Sequence, residues 1–89
     1  MLGGFSQKTD PQSKADALQL LEKHKNDLVA KGVANWSGVE VVSVESQVVA
    51  GTNFRITFKS DGKQYQTTVF RPLPPSHENT EVTAFEASN

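Results

Sequence analysis

Apolar residues recur with helical spacing in one part of the chain and with strand alternation in the rest. Between Asp10 and Gly32, Ala17, Leu21, His24 and Leu28 fall on one stripe, flanked by Leu18 and Leu20. The intervening positions are mostly Lys, Gln, Glu and Ala, all good helix formers. Asp10 is placed to cap the free N–H groups of a first turn, and Pro11 sacrifices no bond at the first helical position. Gly32 suits a C-terminal turn. The spacing predicts one helix from Pro11 to about Lys31, roughly 30 Å long at about 1.5 Å per residue. His24 on the stripe reads as a core-edge residue with one ring nitrogen satisfied, because no cysteine or second spaced histidine offers a shared metal. On that reading His24→Leu keeps activity and raises stability.

Beyond Gly32 the period changes to two. Val33 to Gly38 is a connector whose Trp36, the single tryptophan, reads as a lid on the core. Val39 to Val49 is valine-rich and reads as a strand, and its apolar positions change parity between Val41 and Val42, which predicts a β-bulge there. Asn53 to Lys59 alternates strictly, with Phe54, Ile56 and Phe58 on one face and Asn53, Arg55, Thr57 and Lys59 on the other. Asp61-Gly62 is a two-residue hairpin signal, and Lys63 to Arg71 is the return strand. Pro72-Leu73-Pro74-Pro75 cannot continue a ladder. Thr80 to Ala87 reads as a last strand, with Val82 and Phe85 on opposite faces by parity.

A helix followed by four strands on short loops is an α+β arrangement, one helix laid across a meandering antiparallel sheet. Alternate turns of a meander share one end, so the loops Gln47–Gly51 and Leu73–His77 should stand side by side. The N-terminus would reach the same edge. Residues 1–9 read as a flexible terminal trunk, in which the pair Gly3 and Gly4 would let backbone approach a partner closely.

Composition narrows the function classes. A chain of 89 residues supports one domain, here 1–89, and 36% hydrophobic with 21% charged residues places it on the polar side of globular. A net charge of −1 with scattered Lys and Arg argues against nucleic acid as a partner. The absence of cysteine excludes a thiol nucleophile, disulfides and thiolate metal sites, and it suits a reducing compartment. The longest apolar run is far short of a membrane span, and the N-terminus lacks the regions of a signal peptide. The expectation is a soluble cytoplasmic protein with no membrane partner. His24 and His77 have no nucleophile beside them in sequence, the carboxylates are spread singly, and no glycine pattern cradles phosphate. An enzyme is therefore disfavoured, and no cofactor or metal is expected. What remains is a pair of small, apolar, uncharged loops, Gln47-Val48-Val49-Ala50-Gly51 and Leu73-Pro74-Pro75. Exposed, they would form an interaction edge; tucked inward, they would be plain packing. Composition alone weighs the two equally.

Gln47-Val48-Val49-Ala50-Gly51 matches the Gln-x-Val-x-Gly motif of the cystatin superfamily, inhibitors of papain-like cysteine proteases. Gln47 to Phe54, QVVAGTNF, resembles the stefins, the cystatins without disulfides or signal peptide, as do Val69-Phe70 followed by Leu73-Pro74 and the segment His77-Glu78-Asn79. Gly4 stands where the N-terminal glycine of cystatins is expected. The resemblance, which runs from Gly3 to about Phe85, implies a long helix wrapped by an antiparallel sheet of four to five strands. It further implies a reversible, competitive wedge for the protease cleft. Gly3 and Gly4 would guide the trunk along the non-primed side, and Gln47, Val48, Val49, Ala50 and Gly51 would lie over the catalytic cysteine. Leu73 and Pro74 would contact the primed side. The partners implied are proteases of the cathepsin L and papain type, or parasite and host equivalents. Pro75 and Ser76 look like two extra residues before His77, so that Pro75, Ser76 and His77 form a lengthened part of the second loop. The alternative reading is a cystatin-fold interaction module without protease inhibition. A monomer is expected, with a domain-swapped dimer arising if the Val49–Gly51 turn straightens.

Overall fold

The helix begins where the cap and the proline coincide. In the computed structural model, which describes residues 4–88, the Asp10 carboxylate accepts from the Ser13 backbone N–H and from the Ser13 hydroxyl, each at 2.9 Å. Pro11 opens α1, Pro11–Lys23. The single helix expected to Lys31 is instead α1 followed by α2, Lys25–Lys31, with His24 between them at φ −103° and ψ 19°. The axis continues through the irregularity, because His24 N–H still reaches the Leu20 carbonyl at 3.1 Å and Leu28 N–H the His24 carbonyl at 3.0 Å. The physical reason for the departure lies across the molecule: the His24 ring Nε2 sits 2.7 Å from the Thr80 hydroxyl. That tertiary bond outweighs local helical preference. Gly32 ends α2 at φ 144°, and Val33 N–H bonds back to the Leu28 carbonyl at 3.1 Å.

Five strands follow one another in space in chain order, every neighbour antiparallel. They are β1 Ser6–Lys8, β2 Glu40–Val49, β3 Gly51–Ser60, β4 Lys63–Arg71 and β5 Glu81–Ser88. The expected bulge is present, since pairing of β2 with β3 shifts between Val41 and Ser43. Asp61 at φ 53° and Gly62 at φ 78° make the tight turn between β3 and β4. Two corrections concern the edges. Residues 6–8, read as part of a flexible trunk, are a strand that pairs Ser6, Gln7 and Lys8 with Ser46, Glu45 and Val44. In β5, Val82 and Phe85 do not face opposite ways. Val69 pairs with Val82 but Thr68 with Ala84, so Thr83 is an extra residue that resets parity, and both apolar side chains pack on the core.

The core lies between the helical stripe and the inner sheet face: Ala17, Leu20, Leu21 and Leu28 against Val44, Ile56, Phe58, Tyr65 and Val69. Trp36 packs over one side of it as expected, its ring 6.2 Å from Phe58. Leu18, a flank of the stripe, stays exposed. The connector is tied to the far turn by Ser37, whose carbonyl accepts from Asp61 N–H at 2.7 Å, and by the Ser60 hydroxyl, which donates to the Asn35 carbonyl. The opposite end of the sheet is thereby left to the other two hairpin connections. Among the described residues, no helix is long and apolar enough to cross a membrane.

Candidate functional site

At that opposite end the first loop is a one-residue turn. Val49 pairs directly with Gly51, and Ala50 alone stands at the tip. Gly51 is buried at φ 122°, and a Cβ there would meet the Arg71 carbonyl oxygen at 2.5 Å and the Phe70 ring at 2.8 Å. Both backbone angle and space therefore demand glycine. Behind the turn, Gln47 faces Asn53 across the strands and accepts from its side-chain amide at 3.2 Å. Val49 is half-buried, whereas Val48 is 73% exposed, so the inward-packing reading fails for Val48.

The second loop leaves β4 beside this turn, because Thr52, next to Gly51, pairs with Arg71. Leu73 is 59% exposed, and Pro74, Pro75, Ser76 and His77 are all exposed. Successive turns shape the loop: Ser76 N–H bonds the Leu73 carbonyl at 3.1 Å and Asn79 N–H the Ser76 carbonyl at 2.9 Å. Its far limb is strapped to the helix by Lys23 Nζ, which donates to the Glu78 carbonyl at 2.5 Å, and by the His24–Thr80 bond. Between strap and helix lies a cleft of about 320 Å³ lined by Lys23, Arg71, His77 and Glu78. Thus Leu73 follows two residues after Arg71, the partner of Thr52, whereas His77 lines the helix-side cleft.

β1 runs antiparallel to β2 with Ser6 opposite Ser46, so Phe5 leaves the ladder at the end of β2 that leads to Gln47 and Val48. Gly4 is exposed, and a Cβ on it would meet nothing within 4 Å. Unlike Gly51, it is not required by the chain's own packing. Gly3 lies outside the described residues. Sequence reasoning missed what holds this segment. The guanidinium of Arg55 lies over the Phe5 ring, 4.1 Å from its centroid, and its Nε donates to Glu45 at 2.8 Å. That hydrogen bond holds the Glu45 carboxyl below its ordinary range and the Arg55 guanidinium above its own. An aromatic next to a glycine pair was the available signal.

One arrangement has the outline of a nucleophile, base and acid: Thr80, His24 and Asp27. His24 Nδ1 is 3.8 Å from Asp27, too long for a hydrogen bond, and that carboxylate is two-thirds exposed. The Thr80–His24 contact is a brace for β5. Among the described residues, no group of three or more His, Asp or Glu side chains is placed to hold a metal.

Residues 3–88 match the family model described as Cystatin domain. The chain is 32% identical over 69 residues to Cystatin-A of Homo sapiens, a match covering 76% of this chain and 70% of that protein. It is 39% identical over 62 residues to Salivary cystatin-L of Ixodes scapularis, covering 66% of this chain and 47% of that protein. No solved structure gives a significant match.

Proposed function

The chain belongs to the cystatin family, a family of cysteine protease inhibitors and not of enzymes, and we propose that it is a reversible, competitive inhibitor of papain-like proteases of the cathepsin L type. The inhibitor enters the active-site cleft as a wedge. Val48, Val49, Ala50 and Gly51 cover the catalytic cysteine, the trunk with Gly3 and Gly4 follows the non-primed side, and Leu73 and Pro74 meet the primed side. The observation that carries this reading is the exposure of Val48 and Leu73 on two loops locked together through Gly51 and Arg71. Large apolar side chains held in water by a rigid turn gain nothing in folding and suit a partner. Rigidity also limits the entropy lost on docking. No scissile bond need be presented, so binding remains reversible. The monomer is the inhibitory form, because straightening the Val49–Gly51 turn into a swapped dimer would abolish the first loop. The cysteine-free composition supports action in a reducing, cytoplasmic setting.

Titrating papain and cathepsin L with the recombinant protein tests the proposal. Competitive inhibition that reverses on dilution is expected, with Val48→Asp and Leu73→Asp each weakening it at least about tenfold, as for central interface anchors. Both side chains are exposed, so stability should change by less than about 0.5 kcal/mol. Failure to inhibit either protease at micromolar concentration would instead favour a module that uses this edge for another protein.

A further inference from the structure

We propose that Arg55 is a positioning residue, holding the N-terminal trunk beside the first loop through the ring of Phe5 while Glu45 fixes the guanidinium. The inference rests on the inhibitory reading above and names a determinant of affinity within it. β1 is only three residues long, all exposed, and it sits at the sheet's edge. Its ladder to β2 ends at Ser6 opposite Ser46, so ladder pairing does not fix the residues before it.

Phe5 is the first residue past that ladder, and it is half-buried. Its cover comes from two strands away. Arg55 on β3 pairs with Glu45 on β2, and Glu45 in turn stands opposite Gln7 on β1. Ile56 and Phe58 point into the core, so Arg55 projects from the other face of β3 and must cross β2 to reach the trunk. On the way its Nε bonds Glu45 at 2.8 Å, which leaves the flat face of the guanidinium over the Phe5 ring at 4.1 Å. Only a planar cation can use its edge for a carboxylate and its face for an aromatic ring at once. Gly4 precedes Phe5 directly, so fixing the ring limits where the glycine can stand. A trunk arranged beforehand loses less freedom when it docks.

A plain surface ion pair between Arg55 and Glu45 would not couple to residue 5, and a double-substitution cycle separates the two. Papain dissociation constants are compared for the full chain, Arg55→Gln, Phe5→Ala and the double variant, with the heteronuclear NOE of the Phe5 amide measured on the first two and on Arg55→Lys. Arg55→Gln should weaken papain binding roughly two- to fivefold, the loss an exposed cation–π contact corresponds to. It should have no further effect once Phe5 is alanine. The Phe5 NOE should fall in Arg55→Gln and recover in part in Arg55→Lys. Equal weakening in both backgrounds, unchanged papain binding, or an unchanged NOE would overturn the assignment. Papain left uninhibited by the unsubstituted chain would overturn the inhibitory reading instead, and the Phe5 NOE would still decide the clamp.

Discussion

The Arg71 carbonyl oxygen occupies the space that a side chain on Gly51 would need, 2.5 Å from an ideal Cβ. The two loops at the working edge are thus coupled through one missing methyl group. Gly51→Ala forces either β4 away from β3 or the turn out of its φ of 122°. Strain and overpacking together should cost about 2–4 kcal/mol of stability. Papain inhibition should weaken more than tenfold, since both loops shift. Gly62→Ala is the control. It also sits at positive φ, 78°, but a Cβ there meets nothing within 4 Å, so only the backbone cost of about 1–2 kcal/mol applies. Urea unfolding of the two variants checks the difference, and equal losses would remove the steric coupling.

The brace from helix to sheet revises an expectation drawn from the stripe of apolar residues. By pattern alone His24→Leu raises stability, but the ring is half-buried and bonded to Thr80 at 2.7 Å. Losing that bond and leaving the hydroxyl unpaired should lower stability by about 1 kcal/mol. Replacing both partners, His24→Leu with Thr80→Val, should recover most of the loss, because neither polar group is then left alone. Denaturant midpoints of the single and double variants test this, and a stabilised single variant would restore the pattern-based reading.

What the sequence made legible was local. Asp10 with Pro11, Asp61 with Gly62, and the parity change at Val41 and Val42 each carry their signal within four residues, and the structure has the cap, the turn and the bulge they predict. The apolar edge was legible for the same reason, as two uncharged loops on alternate turns of a meander. The interruption at His24 was not, because its cause stands at Thr80, 56 residues away. Nor was the extra residue Thr83, since a lone polar residue between Val82 and Ala84 alternates as an ordinary strand would. The Phe5–Arg55 contact joins the residue before β1 to β3, a strand that does not neighbour β1. Long-range pairings of this kind set positions that propensity and period cannot resolve.

Acid should weaken the fold through two carboxylates. A hydrogen bond from Arg55 holds Glu45 below its usual range, and bonds from the Ser13 hydroxyl and N–H do the same for Asp10. A carboxyl whose folded value is depressed contributes stability that is fully present above its unfolded value, about 4, and is lost as pH falls through the folded one. Thermal midpoints should therefore be flat from pH 7 to about 5 and decline below about 4. Glu45→Gln and Asp10→Asn should each make that acid decline shallower. A decline as steep in both variants as in the parent would assign acid sensitivity to other groups.

The bulge at Thr83 gives the last prediction. It allows Val82 and Phe85, three residues apart, to face the same core, where Phe85 stacks on Tyr65 with ring centroids 5.8 Å apart and touches the space beside Gly32. Phe85→Ala removes a half-buried ring and should cost about 2–3 kcal/mol, somewhat less than a fully buried phenylalanine. Deleting Thr83 keeps every apolar side chain but restores strict alternation. Val82 and Phe85 then stand two residues apart, on one face of a regular strand, and the pairs Val69–Val82, Thr68–Ala84 and Thr67–Phe85 follow without a break. The deletion should therefore destabilise much less than Phe85→Ala, because it removes one exposed polar residue and leaves Phe85 facing the core. Urea unfolding of both variants decides the point. A deletion variant that loses as much stability as Phe85→Ala would mean that the bend at Thr83, and not parity alone, brings Phe85 to this edge of the core.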